Sequence, residues 1–348
     1  MEEGITIVLD SNEILSGVCG VNDQNLKIIA GRLGGRIYTR GNEISFTGVD
    51  EVGRDRFRTV MDNLILAVKE GESPSTEYVE ALTEIFVQEE DSEIPSFDGS
   101  GPDDKGGHGG SLANWHAVAA GHAVAAFRDN LIQIPQGFSK VFPRSRNQAL
   151  YIRGMREHDI SFCVGPAGTG KTYLAIAEAL RLVLSKKMRK LVLTRPVVEA
   201  GESLGYLPGD LAQKINPYLR PLYDAMEAQV RYETIRHLED TRAIEVAPLA
   251  YMRGRSLNDC MVILDEAQNT TREQMKMFLT RIGRGARAVI TGDATQIDLP
   301  RPGDSGLLHA LSILSGVEGI YFAYLNTADV VRNPLIKKII EAYDAEKK

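Results

Sequence analysis

One short segment of this 348-residue chain combines glycines with a lysine and a threonine at a characteristic spacing. The segment follows an apolar run and fits the pattern G-x-x-x-x-G-K-[ST], with the residues Gly165, Pro166, Ala167, Gly168, Thr169, Gly170, Lys171 and Thr172. Glycines let backbone N–H groups approach phosphate oxygens, and a helix that begins here adds donors and a favourable dipole. The segment predicts a P-loop for ATP, in which Lys171 contacts the β- and γ-phosphates and the Thr172 hydroxyl binds Mg²⁺.

Two carboxylates follow a second apolar run. Asp265 and Glu266 come directly after Met261–Leu264, at the carboxyl end of a predicted strand, where parallel sheets bind their ligands. Asp265 is expected to hold Mg²⁺ through water. Glu266 is expected to act as the general base that orients and polarises the attacking water. The alternative for this pair is a plain turn or helix start.

A third apolar run, Ala288–Thr291, ends in the pattern Gly-Asp-x-x-Gln, which closes with Gln296. A glutamine at this edge is placed to hydrogen-bond the γ-phosphate and the attacking water, and so to link the nucleotide to neighbouring loops. The alternative is a Gly-Asp turn without a ligand. Because the run accompanies the two motifs above, Gln296 is predicted to be catalytic.

The motifs also separate reaction classes. The guanine-specific pattern N-K-x-D is absent, which disfavours a GTPase. Gln148 lies seventeen residues upstream of Gly165, a position that resembles the one where superfamily 1 helicases often place a glutamine that reads adenine. The alternative for Gln148 is a solvent-exposed side chain. A small-molecule kinase would not need Glu266 together with the Gly-Asp-x-x-Gln pattern, because its nucleophile is not water. Hydrolysis of ATP is therefore the predicted reaction.

Strand and helix patterns alternate from Val141 onward. Expected strands are Ile160–Val164, Leu191–Thr194, Ile244–Ala247, Met261–Leu264 and Ala288–Thr291. Expected helices between and after them are Tyr173–Leu184, Leu211–Val230 and Arg272–Ile282. Such alternation predicts an α/β fold with a parallel sheet and helices on both of its faces.

The first 90 residues have a different pattern, β-α-α-β-β-α, followed by a further helix at Ser75–Glu90. This order resembles a KH domain, a small α+β fold, and Gly17 and Gly20 lie between the two predicted helices, where KH domains carry a G-x-x-G loop. The resemblance implies that this loop clamps a nucleic-acid backbone. The alternative is a small oligomerisation or docking domain with glycine turns.

Composition defines the boundaries between these regions. Residues 91–110 are rich in Gly, Ser and Asp and predict a flexible linker. The expected domains are therefore 1–90 and 111–348, and the second begins with an Ala-rich helix at Ser111–Arg128.

The net charge is -7, so no global positive field attracts nucleic acid or an acidic membrane. No apolar run approaches the roughly 20 residues that span a bilayer, and the 3 cysteines form no C-x-x-C pair. A cytoplasmic protein without membrane partners is the expectation.

The second region resembles the PhoH-like family of P-loop ATPases, whose core is related to superfamily 1 helicases. Besides the three motifs above, the resemblance rests on Thr194–Glu202, Leu207–Leu211, Met252–Arg255 and Asp329–Pro334. It implies a RecA-like core, ATP and Mg²⁺ as cofactors, and a role in RNA metabolism such as ribosomal RNA maturation, with an endoribonuclease as partner.

Three arginines follow from this resemblance as contacts to single-stranded RNA. Arg195 ends the strand after the P-loop helix, where helicase cores touch the nucleic-acid backbone, and Arg253 and Arg255 form a basic loop. The alternative is intramolecular pairing with Glu199 or Glu202. Few aromatic residues accompany these loops, which indicates weak stacking on bases.

Arg332 is the predicted catalytic arginine that stabilises the charge on the γ-phosphate in the transition state. Since the chain has one such core, Arg332 is expected to act on the ATP of a neighbouring subunit, in a homo-oligomeric ring that favours six copies. The alternative is that it caps the last helix or pairs with Asp329. Two further functions stay open: an ATP-gated scaffold for a ribonuclease, and a ring ATPase that remodels proteins.

Overall fold

The computed structural model describes residues 4–87, 130–138, 140–197 and 211–330, without the side chains of residues 86, 87 and 211–216. The predicted linker 91–110, the Ala-rich helix at Ser111–Arg128, Glu199, Glu202 and Arg332 lie outside these residues. The chain divides into two compact units, one drawn from Met1–Asn130 and Phe142–Arg146, the other from Leu131–Val141 and Asn147–Lys348.

The first unit is a small antiparallel sheet with helices. Its elements follow the predicted order: β1 Ile5–Val8, α1 Asn12–Cys19, α2 Gln24–Leu33, β2 Arg36–Arg40, β3 Glu43–Thr47, α3 Glu51–Lys69 and α4 Thr76–Val87. The sheet order is β1-β3-β2. Asp50 caps α3, since its carboxylate accepts a 2.8 Å hydrogen bond from the N–H of Gly53.

The prediction that Gly17 and Gly20 lie in a loop between two helices is wrong. Gly17 lies inside α1, and Gly20 is the C-cap that ends this helix. The two residues between them face the core, because Val18 is 0% and Cys19 6% exposed. These two side chains pack in the core and Gly20 ends the helix, whereas a nucleic-acid contact by Gly17 and Gly20 stays a prediction.

The second unit contains a six-stranded sheet in which every pairing is parallel. Its strands are β4 Ile160–Val164, β5 Lys190–Arg195, β6 Ile244–Pro248, β7 Cys260–Leu264, β8 Arg287–Gly292 and β9 Ile320–Tyr324. They are arranged in the order β6-β5-β7-β8-β4-β9. Strand β8 therefore separates the strand before the P-loop from the strand that ends in Asp265 and Glu266, and all three end at the same edge.

Helices cover both faces of this sheet. They are α5 Arg146–Glu157, α6 Lys171–Leu184, α7 Leu211–Glu227, α8 Tyr232–Asp240, α9 Arg272–Leu279 and α10 Gly306–Leu314. Alternate strand residues such as Leu193 and Ile263 belong to one core with α5–α8, whereas Val192 and Val262 belong to another with α9 and α10. This alternation is why the strands are apolar throughout, as expected for a sheet buried on both faces.

Four elements of the second unit had no counterpart in the predicted pattern: α5, α8, α10 and β9. No helix in the described part of the chain is both long and apolar enough to cross a membrane.

Candidate nucleotide-binding site

The P-loop connects β4 to α6, as predicted. Gly170 immediately precedes α6 with a φ of 82°, a left-handed conformation that glycine adopts without strain. The Lys171 ammonium donates hydrogen bonds of 2.5 Å and 2.8 Å to the carbonyls of Gly165 and Pro166. Burial lowers the pKa of Lys171 below its ordinary value. The lysine is thus held over the loop, among groups that phosphate oxygens contact in P-loops.

A cavity of about 430 Å³ opens beside the loop. Its lining comes from all three predicted motifs and from α6, β5 and α7: Ala167, Gly168, Gly170, Lys171, Thr172, Tyr173, Arg195, Pro221, Ala225, Asp265, Glu266, Gly292, Asp293 and Gln296. The volume lies within the range of small-molecule sites. The fold therefore brings residues that are distant in sequence to one pocket at the carboxyl edge of the sheet.

Asp265 and Thr172, the predicted magnesium ligands, are in direct contact. Thr172 Oγ1 donates a 2.6 Å hydrogen bond to Asp265 Oδ1, and Thr291 Oγ1 donates one of 2.8 Å to the same atom. No described residue donates to Asp265 Oδ2. In this part of the chain no group of three or more His, Cys, Asp or Glu can hold a metal ion. This donor set fits Mg²⁺, which binds few protein ligands and keeps water and phosphate oxygens as the rest.

Glu266, the predicted base, is held by two neighbours. Arg195 Nη2 lies 3.2 Å from Glu266 Oε1, and Gln268 Nε2 donates a 2.5 Å hydrogen bond to Oε2. The backbone of Glu266 has a φ of 52°, which is unusual for a residue with a side chain and stores strain. The carboxylate thus has a defined orientation in the pocket.

The Gly-Asp-x-x-Gln segment continues this network. Gln268 Oε1 accepts a 3.0 Å hydrogen bond from the N–H of Asp293, so one buried amide joins the ends of β7 and β8. Asp293 Oδ1 accepts from the hydroxyl and the N–H of Thr295, whereas its buried Oδ2 has no partner among the described residues. Gln296 lines the pocket, as the predicted γ-phosphate contact requires.

Gln148 is buried, contrary to the alternative of a solvent-exposed side chain. Its Nε2 donates a 3.0 Å hydrogen bond to the carbonyl of Thr169, within the P-loop. This contact braces the loop from α5. Recognition of adenine by Gln148 stays a prediction.

The three arginines predicted to contact RNA have different surroundings. Arg195 lies in the nucleotide pocket against Glu266, and Arg255 makes two hydrogen bonds to Glu245, of 2.6 Å and 2.9 Å. Arg253 is exposed and makes no ion pair with a described residue. Intramolecular pairing is thus present for Arg195 with Glu266 and for Arg255 with Glu245. Glu199 and Glu202, the partners of the alternative, lie outside the described residues.

Sequence reasoning missed several residues of the site. Gln268, Thr291 and Asp293 were visible beside the motifs, but nothing in their spacing indicated which atoms they bridge. Tyr251 was also missed: it is 54% exposed, two residues before Arg253 on the connection after β6. An aromatic residue therefore accompanies this basic loop after all.

The parallel sheet, the P-loop after β4 and the carboxylates after β7 define a P-loop protein with a RecA-like core. The family described as "PhoH-like protein" matches residues 140–344. A PhoH-like protein of Synechocystis sp. is 40% identical over 342 residues, which cover 97% of this chain and 94% of that protein. The chain belongs to the PhoH-like family.

Two other relatives match over a shorter stretch of the chain. A PhoH-like protein of Bacillus subtilis is 54% identical over 203 residues, 58% of this chain and 64% of the relative. Protein PhoH of Escherichia coli is 39% identical over 207 residues, 59% of this chain and 58% of the relative.

Proposed function

We propose that this protein hydrolyses ATP in a Mg²⁺-dependent reaction at the pocket beside the P-loop. The observation that carries the proposal is the contact of Thr172 with Asp265, next to Lys171 and Glu266. A P-loop threonine and a strand-end aspartate joined by a 2.6 Å hydrogen bond present their oxygens to one point. Mg²⁺ bound there neutralises the charge that develops on the phosphates.

The P-loop, Glu266, Gln296 and Gln268 have separate roles in this reaction. The N–H groups at the start of α6 bind phosphate oxygens, and Lys171 moves its hydrogen bonds from the loop carbonyls to the β- and γ-phosphates. Glu266 orients the attacking water and accepts its proton. Gln296 holds the same water from the segment that follows the neighbouring strand β8. Gln268 keeps Glu266 in place relative to β8.

The test is the substitution Glu266→Gln, which keeps the size of the side chain and removes the base. We expect ATP binding to persist and turnover to fall by about 10²–10⁴-fold. Turnover is measured as phosphate release with and without Mg²⁺, and binding by calorimetry. Equal loss of binding and turnover would make Glu266 a structural residue instead.

We further propose that single-stranded RNA binds at the connection after β6 and stimulates hydrolysis. Tyr251 and Arg253 are both exposed there, at the same sheet edge as the nucleotide pocket. An aromatic ring stacks on a base, and an arginine pairs with a phosphate. An ATP-gated scaffold for a ribonuclease is the alternative, in which RNA leaves turnover unchanged.

The probe for this proposal is an unstructured oligouridine. We expect the double variant Tyr251→Ala/Arg253→Ala to bind it about tenfold more weakly and to lose most of the stimulation. The matched control Val317→Ala/Arg284→Ala removes an exposed apolar side chain and an exposed arginine from the amino-terminal edge of the sheet. Equal affinities of both variants and the wild type, at matched salt, would reject this RNA surface.

A further inference from the structure

We propose that Arg195 senses the γ-phosphate: it pairs with Glu266 when the bound nucleotide is ADP and transfers to the γ-phosphate when it is ATP. This inference rests on the proposed ATPase function and assigns the regulation of that site to one residue. It also gives Arg195 a nucleotide-directed role in place of the predicted RNA contact.

The sheet places Arg195 opposite the catalytic carboxylates. Strand β5 pairs with β7, with Thr194 beside Leu264, and the N–H of Asp265 donates a 2.9 Å hydrogen bond to the carbonyl of Thr194. Arg195 follows Thr194 directly and Glu266 is the second residue after Leu264, so both emerge at the same edge of the sheet. This position follows from the register of two buried strands.

The guanidinium joins two parts of the pocket. Its Nη2 lies 3.2 Å from Glu266 Oε1, and its Nη1 donates a 3.3 Å hydrogen bond to the carbonyl of Tyr218 on α7. Arg195 and Glu266 are part-exposed, with side-chain exposures of 21% and 36%, and both line the pocket with Lys171. The pair is accessible from the space where the P-loop holds phosphates.

The pairing with Arg195 engages the carboxylate of Glu266, the proposed base. Glu266 Oε1 faces Arg195 and Oε2 accepts from Gln268, so both oxygens have a donor before any water is bound. Each carboxylate oxygen can accept a second hydrogen bond, but an attacking water at Glu266 must share its acceptor atom with one of these donors, which weakens the pull of the base on the water proton. Arg195 is the one that can leave, because Gln268 is buried and also held by the N–H of Asp293.

The γ-phosphate supplies the reason for Arg195 to leave. A terminal phosphate carries more negative charge than a carboxylate and accepts the two parallel N–H bonds that a guanidinium offers. ADP lacks this group. ATP therefore draws Arg195 away from Glu266, which frees Oε1 for the attacking water and adds positive charge where the transition state needs it.

The experiment compares Arg195→Ala and Arg195→Lys with the control Arg284→Ala, an exposed arginine before β8 at the opposite sheet edge. Affinities are measured for ADP and for the non-hydrolysable analogue with an imido bridge between the β- and γ-phosphates. In Arg195→Ala we expect about tenfold weaker binding of the analogue, less than twofold change for ADP, and a kcat lower by about 10²-fold. Arg195→Lys keeps the charge without the paired N–H groups and should lie in between.

A second measurement separates this role from a structural one. In the Glu266→Gln background, Arg195→Ala should still weaken the binding of the analogue and leave the binding of ADP unchanged, since the contact of Arg195 with the γ-phosphate does not depend on Glu266. Loss of both affinities in equal measure, or unchanged affinities and kcat, would overturn the inference while the wild type still hydrolyses ATP. Absence of ATP hydrolysis in the wild type would instead reject the proposed function itself.

Discussion

Two glycine motifs, one in each unit, meet a helix at opposite ends. The P-loop precedes α6, so its backbone N–H groups and the positive end of the helix dipole face the pocket. Gly20 ends α1, where carbonyls and the negative end of the dipole lie. An anion is favoured at the first position and disfavoured at the second. The orientation of a glycine motif relative to its helix therefore matters more than its spacing.

The residues between the glycines of the two motifs differ in their exposure. In the P-loop, Ala167 and Gly168 line an open pocket. In the first unit, Val18 and Cys19 fill the core, and burial raises the pKa of the Cys19 thiol to about 11. The first unit thus uses its glycines to let helices pack, whereas the second uses them to expose its backbone.

The largest effect is expected from Lys171→Ala. Because Lys171 supplies the only side-chain cation of the P-loop, we expect turnover to fall by at least about 10²–10³-fold, with weaker ATP binding. The midpoint of thermal unfolding should stay near that of the wild type, since the hydrogen bonds of the ammonium to described residues go to the carbonyls of Gly165 and Pro166. Phosphate release and calorimetry check both points. Turnover at the wild-type rate would remove the pocket from the mechanism.

Gly20→Ala tests the other motif. Gly20 has a φ of 68°, and an added Cβ would lie 2.8 Å from Asn25 Nδ2. We expect a loss of about 2 kcal/mol of folding free energy from strain and crowding, measured by denaturant unfolding. ATP turnover and RNA affinity should not change at temperatures where the variant is folded. A selective loss of RNA affinity would instead restore a binding role to Gly20.

A buried amide braces each motif, which allows a matched pair of substitutions. Asn25 Nδ2 donates a 3.1 Å hydrogen bond to the carbonyl of Val18, as Gln148 Nε2 does at 3.0 Å to that of Thr169. We expect Asn25→Ala and Gln148→Ala each to lower stability by about 1–2 kcal/mol. Only Gln148→Ala should raise the KM for ATP. An unchanged KM would show that the P-loop keeps its shape without this brace.

The smallest effect concerns Glu245, which binds Arg255 and Lys190 away from both motifs. Hydrogen bonds from Arg255 outweigh desolvation and lower the pKa of Glu245 to about 2 from 4.5. A lowered folded-state pKa stabilises the protein above pH 4.5, and this benefit declines as the pH falls toward 2.

Because the Glu245 side chain is part-exposed, solvent screening reduces the benefit, and we expect Glu245→Gln to cost about 1 kcal/mol at pH 7. Unfolding curves of the variant and the wild type should converge as the pH falls through this window. A constant difference at all pH values would mean that Glu245 acts through packing and not through its charge.

The strands of the second unit were predictable because burial on both faces makes them uniformly apolar. Strand β4 has the predicted bounds, β5 and β8 extend beyond theirs by one residue at each end, and β7 begins one residue earlier than predicted. Helices α5 and α8 were missed, since charged residues such as Arg153 and Glu233 interrupt their apolar pattern. Their helical conformation depends on the sheet against which Ile152 and Ile235 pack.

The sequence by itself determined the P-loop, the Asp265 and Glu266 pair and the class of fold, because each combines a local pattern with an apolar strand. Only the tertiary structure decided which side chains of the site contact one another. The pairing of Arg195 with Glu266 depends on which strands are neighbours, and Gln268 reaches β8 only because β7 and β8 lie side by side. Likewise, Gly17 and Gly20 became packing residues because a core covers Val18 and Cys19, and no local pattern specifies which side chains a core will cover.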